Sequence, residues 1–271
     1  MISLFFLASL FSVVEDSVYV CAIFQNEERF LAEWVQFHLD QGVEKIYMYN
    51  NKSNDGSIKV LQPYVDRGDV ILIDWHKPNG NIEQWGHTQC SAYKDCAMRC
   101  IDKCGWVAFI DTDEFLFSPE GQKLNHVMRE YRECAAIGVN WVMYGTSQVQ
   151  HVPEGHKIVD HLVYRSELSD PVNQHIKSIV RPNWVQKCVS PHYFILNFGA
   201  KTLNENKQPI EGAFSNKSVN NLRINHYWSR DMDFFLTEKL IRRKIWLADP
   251  DKQINEEKTY NVVYDPILAN Q

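Results

Sequence analysis

Several features that would identify a nucleotide-binding or nucleic-acid-binding protein are absent from this sequence. It has neither a G-x-G-x-x-G run nor a P-loop, which argues against a dinucleotide-binding fold and a Walker-type ATPase. Acidic residues outnumber basic ones by 34 to 28, and the net charge of −6 argues against a general nucleic-acid binder, which needs a basic face. Internal repeats, low-complexity runs and long polar linkers are also missing, so we expect the 271 residues to form one main domain.

The sequence also lacks an apolar run long enough for a standard membrane span. The segment MISLFFLASLFSVV, residues 1–14, is shorter than the roughly 20 residues that a span requires, and it lacks the positive start of a signal peptide. A weak signal sequence, a shortened signal anchor and an amphipathic helix packed on the domain all stay open. We favour the secretory pathway or a membrane, with membrane association through residues 1–14, and keep the cytoplasm as the alternative.

The seven cysteines do not have the spacing of a metal site. Cys96, Cys100 and Cys104 follow one another at intervals of four, which puts three thiols on one face of a helix. Ligands along one helix do not converge on a tetrahedral ion. We therefore expect small apolar residues, with disulfides to other segments open if the chain is secreted.

What the sequence does contain is an alternation of strands and helices. Apolar runs and helical spacing predict a strand at residues 18–24, a helix ending at Gly42, a strand at 45–49, a helix from Ser57, a strand in DVILIDW, a helix at 88–103 and a strand in WVAFIDTDEFLF. This order predicts an α/β fold with a mostly parallel central sheet and helices on both faces.

The second half of the chain is less regular. AAIGVNWVMYGTS and KSIVRPNWVQKCV predict strands, DMDFFLTEKLIRRKIWL predicts an amphipathic helix, and the last part predicts irregular structure. We divide the chain into a hydrophobic segment at 1–17, the main domain at 18–250 and a C-terminal extension at 251–271.

Asp111, Asp113 and Glu114 follow the buried part of the fourth strand. Because side chains alternate along a strand, Asp111 and Asp113 should lie on the same side. Carboxylate oxygens suit Mg²⁺ or Mn²⁺, and such an ion could bridge to a diphosphate. The alternative is a solvated turn that caps a helix.

Polar residues also follow the first two strands. Asn26 and Glu27 follow the first, and Asn50, Asn51, Ser53 and Asp55 follow the second. Such groups at neighbouring strand ends can bind a base and a ribose, although the same residues are common in ordinary turns.

Taken in order, these segments resemble glycosyltransferase family 92, which has kinship to family 2-type enzymes. The resemblance rests on CAIFQNEERFLAEWVQFHLDQGVEKIYMYNNKSNDGS, VILIDW, WVAFIDTDEFLF, KSIVRP and INHYWSRDMDFFLTEKL, from about Val18 to Lys244. It implies a GT-A fold, a nucleotide-sugar donor that is commonly UDP-galactose, a divalent cation and inversion at the anomeric carbon.

The resemblance also implies roles for individual residues. It gives Asp111 and Asp113 the D-x-D position, with His226 as the histidine that closes the metal site. Since imidazole suits Mn²⁺ better than Mg²⁺, we expect manganese, and a structural histidine is the alternative. The residues expected at the donor are Asn26, Glu27, Asn50, Asp55, Gln89, Asp95, Lys177 and Arg181.

Two points of the donor and acceptor chemistry stay open. Family members often have Asp where this chain has Asn50, and an amide offers only its carbonyl to a uracil N–H. An inverting reaction needs a carboxylate to deprotonate the acceptor, and the sequence does not choose among Glu154, Asp160, Glu167 and Glu211. His192 is a further candidate for the site.

The sequence therefore predicts a metal-dependent inverting glycosyltransferase that moves a hexose, with galactose as the candidate, from a UDP-type donor to a glycan hydroxyl. The alternative is a catalytically inactive member that acts as a carbohydrate-binding or scaffold protein. A sugar nucleotidyltransferase would require a Gly-rich basic loop where this chain has QNEE.

Overall fold

A computed structural model describes residues 15–245 and 249–270, so the predictions for residues 1–14 lie outside the described part. The centre of the fold is a ten-stranded mixed sheet in the order β12-β11-β6-β8-β4-β1-β2-β3, with β13 paired to β6 and β5 paired to β13. Its strands are β1 (Val18–Phe24), β2 (Lys45–Asn50), β3 (Val70–Asp74), β4 (Trp106–Phe109), β5 (Glu114–Phe117), β6 (Ala136–Met143), β8 (Ile176–Val180), β11 (Thr202–Asn204), β12 (Pro209–Ile210) and β13 (Arg223–His226).

Helices cover both faces of the parallel part of this sheet. β1 pairs in parallel with β2 and β4, and β2 pairs in parallel with β3. Alternate side chains of β1 enter different cores: Val20 and Ala22 pack with helix α1 (Glu28–Asp40), and Cys21 and Ile23 pack with helix α3 (Ile82–Cys100). The predicted α/β class is confirmed.

Helix α2 (Ser57–Asp66) begins where the sequence predicts, but α3 begins six residues before the predicted start at Thr88. The side chain of Asn81 accepts a hydrogen bond from the Gln84 amide at 2.9 Å and caps the helix. An N-cap of this kind stabilises the first turn. The segment that looks like a Gly- and Asn-rich loop therefore contains the beginning of the helix.

The predicted fourth strand, residues 106–117, is wrong as one element. β4 ends at Phe109 and β5 begins at Glu114, and the Glu114 amide donates to the Asp111 carbonyl at 3.1 Å across the turn between them. β5 then pairs antiparallel with β13. Asp111 and Asp113 therefore lie in a turn, and strand alternation does not set their directions.

The segment KSIVRPNWVQKCV is also two strands. β8 ends at Val180, and β9 (Val185–Ser190) begins after a short helical turn that contains Pro182. Proline has no amide hydrogen for a sheet ladder. β9 forms a separate hairpin with β10 (Tyr193–Leu196).

The C-terminal part is more regular than the sequence predicts. The predicted amphipathic helix is present as α6 (Met232–Phe234), a wider π-turn (Phe235–Lys239) and α7 (Leu240–Ile245). Helix α8 (Pro250–Thr259) and strand β14 (Val263–Tyr264) replace the expected irregular end, and β14 pairs with β7 (Tyr164–Arg165). The remaining short helices are α4 (Leu124–Val127) and α5 (Ile158–His161).

Two further expectations concern the cysteines and the membrane. All seven cysteines are free thiols, and Cys96, Cys100 and Cys104 are buried in the core, as expected for small apolar residues. Within the two described ranges, the helices are too short or too polar to cross a membrane.

Candidate functional site

A cleft of about 670 Å³ opens at the carboxyl ends of the central strands. We call it the sheet-end cleft. Cavities of this size are typical of ligand sites, and ligands of open α/β sheets bind at this edge. Its walls include Phe24, Gln25, Glu27, Asn79, Gly80, Trp85, Gln89, Asp111, Thr112, Asp113, Trp141, His192, His226, Trp228, Lys239, Arg242 and Arg243.

Asp111 is held at the floor of this cleft by polar side chains from three directions. Lys177 Nζ lies 2.9 Å from Asp111 Oδ2, and Gln89 and Tyr93 donate to Oδ1, Tyr93 at 3.1 Å. Burial alone would raise the pKa of Asp111, but the Lys177 ammonium outweighs it and the pKa is lowered. Gln89 and Lys177, two of the residues expected at the donor, therefore contact the D-x-D motif.

Glu114 is fully buried next to this pair. Its Oε2 accepts from the Asp111 amide at 2.8 Å and lies 3.6 Å from Lys177 Nζ. Its Oε1 has no hydrogen-bond partner among residues 15–245 and 249–270. Burial raises the pKa of Glu114 well above its usual range, with Lys177 opposing the shift.

Asp113 and His226 form the other half of the site. His226 lies opposite Glu114 in the β13–β5 register, because β13 pairs with β5, and its Nε2 is 3.3 Å from Asp113 Oδ1. Lys239 Nζ is 2.9 Å from Asp113 Oδ2. Burial alone would raise the pKa of Asp113, but Lys239 and His226 hold it well below the usual range.

The His226 imidazole is buried and faces the cleft. Burial lowers its pKa, with Asp113 opposing the shift, which favours the neutral form that a metal requires. Its ring packs 4.3 Å from the Trp141 ring between centroids. Its Nδ1 makes no hydrogen bond to any described group.

Asp113, Glu114 and His226 together offer ligand atoms within 4.8 Å of one another. Their oxygen and imidazole donors suit Mn²⁺ and similar divalent ions. Asp111 is outside this group, since Gln89, Tyr93 and Lys177 hold its carboxylate. Glu114, which the sequence places beside the motif, thus joins the two expected ligands Asp113 and His226.

Three cations that the sequence analysis did not select line the same cleft: Lys239, Arg242 and Arg243. They lie on the π-turn and the start of α7, and Lys239 is the one that contacts Asp113. Only their grouping as K-x-x-R-R on one helix could have indicated a phosphate-binding surface.

Glu27 is brought to the site through Arg230. Arg230 Nη2 lies 3.0 Å from Glu27 Oε2 and donates to the Thr112 carbonyl at 2.8 Å, which ties the end of β1 to the D-x-D turn. Burial raises the pKa of Glu27, with Arg230 opposing the shift. Of the expected donor residues, Glu27, Gln89 and Lys177 therefore gather around this turn.

Asn26, Asn50 and Asp55 do not line the sheet-end cleft and instead make hydrogen bonds in the loops that follow β1 and β2. Asn26 Oδ1 accepts from the Asn54 amide at 2.9 Å, and Asn50 donates to Asp74 at 3.1 Å while accepting from the Ser53 amide at 3.0 Å. Asp55 accepts from the Glu28 amide at 3.0 Å. These contacts are turn chemistry, the alternative that the sequence left open.

Arg181 and Asp95 are not at the site. Arg181 donates to the carbonyls of Cys134 and Arg132 and stacks 4.3 Å from the Trp106 ring, at the opposite end of β4 from Asp111. Asp95 accepts from Tyr49 at 2.7 Å and pairs with Arg99. Neither residue lines the sheet-end cleft, so the structure does not support their predicted contact with the donor.

The four expected base candidates also lie away from the cleft. Glu154 and Glu167 are exposed, Asp160 accepts from the Asn270 amide at 2.7 Å, and Glu211 pairs with Lys201 at 2.8 Å on the surface. None of them lines the sheet-end cleft. His192 does line it, and burial lowers the pKa of His192 to about 3, so this imidazole is neutral.

Comparisons with known proteins show the family to which this chain belongs. The model of glycosyltransferase family 92 matches residues 16–260. The chain belongs to glycosyltransferase family 92. A family 92 protein of Oryza sativa subsp. japonica is 32% identical over 194 residues, which cover 69% of this chain and 31% of the rice protein.

Other relatives match a smaller part of the chain. The beta-1,4-galactosyltransferase galt-1 of Caenorhabditis elegans is 36% identical over 103 residues, 36% of this chain and 24% of that protein. The chain spans only about a third of the family 92 proteins of Oryza sativa (31%) and Ricinus communis (37%).

Solved structures show a weaker similarity. Staphylococcus aureus TarS 1–349 in complex with UDP aligns over 62% of this chain and 47% of that one, at a TM-score of 0.41 and 13% identity. The predicted GT-A class is confirmed by the family and by the sheet with helices on both faces.

Proposed function

We propose that this family 92 chain is a metal-dependent inverting glycosyltransferase that moves a hexose from a nucleoside-diphosphate donor to a glycan hydroxyl. One observation carries the proposal: the cluster Asp113, Glu114 and His226 lies next to the basic residues Lys239, Arg242 and Arg243 at the sheet-end cleft. The cluster suits a divalent cation, and the helix suits a diphosphate.

Asp113, Glu114 and His226 are the residues that would hold the cation, with Asp111 beside them. The buried Glu114 Oε1 and His226 Nδ1 support this fit, because polar atoms without a partner in the described chain are costly unless a ligand completes them. When bound, the ion would offset charge on the diphosphate and its leaving oxygen.

Lys239 would bind the diphosphate once a cation occupies Asp113. Its ammonium contacts Asp113 Oδ2 in the present arrangement, so a cation at Asp113 and Lys239 compete for one carboxylate. Burial lowers the pKa of Lys239, with Asp113 opposing the shift. Displaced from Asp113, Lys239 would pair with the diphosphate alongside Arg242 and Arg243.

The donor nucleoside would lie toward the end of β1. Phe24, Gln25 and Asn79 line this side of the cleft, and Asn79 donates to Gln25 at 2.8 Å. We propose UDP as the nucleotide and galactose as the sugar, and the name of the C. elegans relative supports the choice of galactose. Glycan transfer in the secretory pathway accords with the apolar residues 1–14.

A thermal-shift panel of nucleotide sugars tests this function. UDP and UDP-galactose should raise the melting midpoint in the presence of Mn²⁺, because a ligand that binds the folded state stabilises it. Chelation by EDTA should remove most of the shift. An equal shift for every nucleotide tested, or full transfer activity in excess EDTA, would contradict the proposal.

A further inference from the structure

A second cleft of about 640 Å³ lies directly beside the sheet-end cleft. The two clefts share Trp141, His192, His226, Trp228 and Arg243. The far walls of the second cleft come from the turn Pro171–Gln174 and from helix α8. Two molecules, one bound in each cleft, would therefore lie next to each other at His226, beside the proposed cation site.

The walls of the second cleft are rich in aromatic rings. Trp141 and His175 stack at 4.9 Å between ring centroids with 18° between their planes, and His175 also packs 4.5 Å from Phe214. Trp228 and Tyr260 form the opposite group at 6.2 Å. Flat amphipathic rings offer apolar area next to polar edges, which matches a pyranose ring with its C–H faces and hydroxyl rim.

Polar atoms along these walls are incompletely bonded. Trp141 Nε1 and Gln253 Oε1 are buried and have no hydrogen-bond partner among the described residues. Buried polar groups of this kind are normally paired. A hydroxyl group can both donate and accept, so sugar hydroxyls could pair with the indole N–H and the amide oxygen alike.

The two clefts differ in their charged side chains. Lys239 and Arg242 line only the sheet-end cleft, whose carboxylates Glu27, Asp111 and Asp113 are each paired with a Lys or Arg side chain. Asp170 and Glu256 line only the second cleft. A diphosphate is suited to the first environment. A neutral hydroxyl that must lose a proton is suited to the second, because a carboxylate can accept that proton.

Of these two carboxylates, Glu256 is the one whose charge acts on Arg243, which lines both clefts. Asp170 Oδ1 accepts from the Val172 amide at 2.9 Å and caps its own turn. Glu256 Oε2 accepts from Gln253 at 2.9 Å, and Oε1 lies 3.8 Å from the exposed Lys252 ammonium. Burial lowers the pKa of Arg243, which lines both clefts. The negative charges of Asp113 and Glu256 oppose this shift.

We propose that the second cleft binds the acceptor saccharide and that Glu256 is the general base. This inference rests on the proposed glycosyltransferase function. The acceptor oxygen bonds to the anomeric carbon while the bond from that carbon to the diphosphate oxygen breaks. The hydroxyl proton passes to the Glu256 carboxylate, and the nucleoside diphosphate leaves with the electron pair of the broken bond.

The binding part is tested with labelled, UDP-loaded protein on a microarray of β-linked oligosaccharides that includes galactans. Phe214→Ala, in the second cleft, should weaken glycan binding by at least about tenfold, the loss of an aromatic contact, and leave the UDP-induced melting shift intact. Phe198→Ala is the matched control, since Phe198 is exposed and lies outside both clefts.

Retained glycan binding by Phe214→Ala would overturn the assignment of the cleft. So would a wild-type protein that binds UDP but no oligosaccharide. A wild-type protein that does not bind UDP would instead refute the proposed function itself, so the two failures are distinguishable.

The base is tested by transfer from UDP-galactose to the glycan that binds most tightly. Glu256→Gln should lower transfer by about 10² to 10⁴, the usual contribution of a general base. UDP and glycan binding should persist, because the substitution keeps the side-chain shape.

Asp251→Asn on the same helix is the control and should leave transfer unchanged, since Asp251 is outside the cleft. Full transfer by Glu256→Gln would overturn the assignment of the base. So would a comparable loss that occurs only in Asp170→Asn.

Discussion

His38 and His226 are both buried imidazoles packed against tryptophan, yet their surroundings differ in one respect. His38 Nδ1 donates to the Trp34 carbonyl at 2.8 Å, and its Nε2 accepts from the Leu116 amide at 3.2 Å. His226 contacts Asp113 through Nε2, and its Nδ1 has no partner in the described ranges. Both ring nitrogens of His38 are hydrogen-bonded to backbone groups, whereas His226 Nδ1 has no such partner among the described residues.

This difference separates a structural histidine from a candidate ligand. His38 Nδ1 makes a hydrogen bond within α1, and its Nε2 connects α1 to β5, so substitution of His38 should affect folding. His226 Nδ1 has no partner among the described groups, and buried polar atoms are normally paired, so a bound ligand would complete this ring. The following experiments test that distinction, from the largest expected effect to the smallest.

The largest effect is expected at the partner of His226. Asp113→Asn should lower glycosyl transfer by about a thousandfold, or about 4 kcal/mol, because the amide is a poor ligand for a divalent ion. Transfer of radiolabelled galactose measures the effect, and circular dichroism checks that the fold persists.

Asp95→Asn is the matched control on the adjacent helix. Since Asp95 contacts Tyr49 and Arg99 away from the cleft, the variant should keep wild-type transfer. Equal losses in the two variants would show that general charge, not a ligand at Asp113, explains the result.

The second largest effect is expected at the structural histidine, His38. His38→Ala should lower the free energy of unfolding by about 3 kcal/mol, because it leaves the buried Leu116 amide without an acceptor and opens a cavity. Chemical denaturation measures the loss, and Mn²⁺ dependence should be unchanged. A stable His38→Ala protein with weakened Mn²⁺ dependence would reverse the assigned roles of the two histidines.

The third effect is the pH dependence that His38 imposes. Burial lowers the pKa of His38 from 6.5 to about 4, so the unfolded chain takes up the proton first as the pH falls. The contribution of neutral His38 to the free energy of unfolding is fully present above pH 6.5. It is lost as the pH falls toward 4, and the loss is about 2 kcal/mol at pH 5.

Comparison with His38→Gln isolates this contribution. Glutamine cannot be protonated in this range, so the wild type should lose about 2 kcal/mol more than the variant between pH 7 and pH 5. Parallel pH profiles would mean that His38 does not titrate as its burial requires.

The smallest effect concerns an arginine at the far end of the sheet. Arg181→Ala should cost about 1 kcal/mol of stability, from its carbonyl hydrogen bonds and its contact with Trp106, with an unchanged KM for the donor. Arg242→Ala, in the cleft, should raise that KM instead. A raised KM in Arg181→Ala alone would restore the prediction made from the sequence.

The arginine also shows where sequence analysis fails. Lys177 and Arg181 are four residues apart on an extended segment, so about 13 Å separates them. Because β8 runs antiparallel to β4, Ser178 lies opposite Phe109 and Val180 opposite Val107, and only the Lys177 end reaches the D-x-D turn. Residue types alone could not reveal this strand direction.

Hydrophobic periodicity predicted those strands and helices that local interactions determine. The apolar run at Val18–Phe24 and the helix from Ser57 were predictable from periodicity. The break between β4 and β5 was not, because it depends on pairing with β13, more than 100 residues later in the chain. Glu256 was missed for the same reason, since α8 reaches the cleft only through tertiary packing.

The central claim is that Asp113, Glu114 and His226 form a cation site that works with a nucleoside diphosphate. Electron paramagnetic resonance of free Mn²⁺, titrated with protein and UDP, tests it most directly. Wild-type protein and His38→Ala should bind Mn²⁺ equally in the presence of UDP, and His226→Ala and Asp113→Asn should bind it at least about tenfold more weakly. Equal Mn²⁺ binding by wild-type protein and Asp113→Asn would contradict the account.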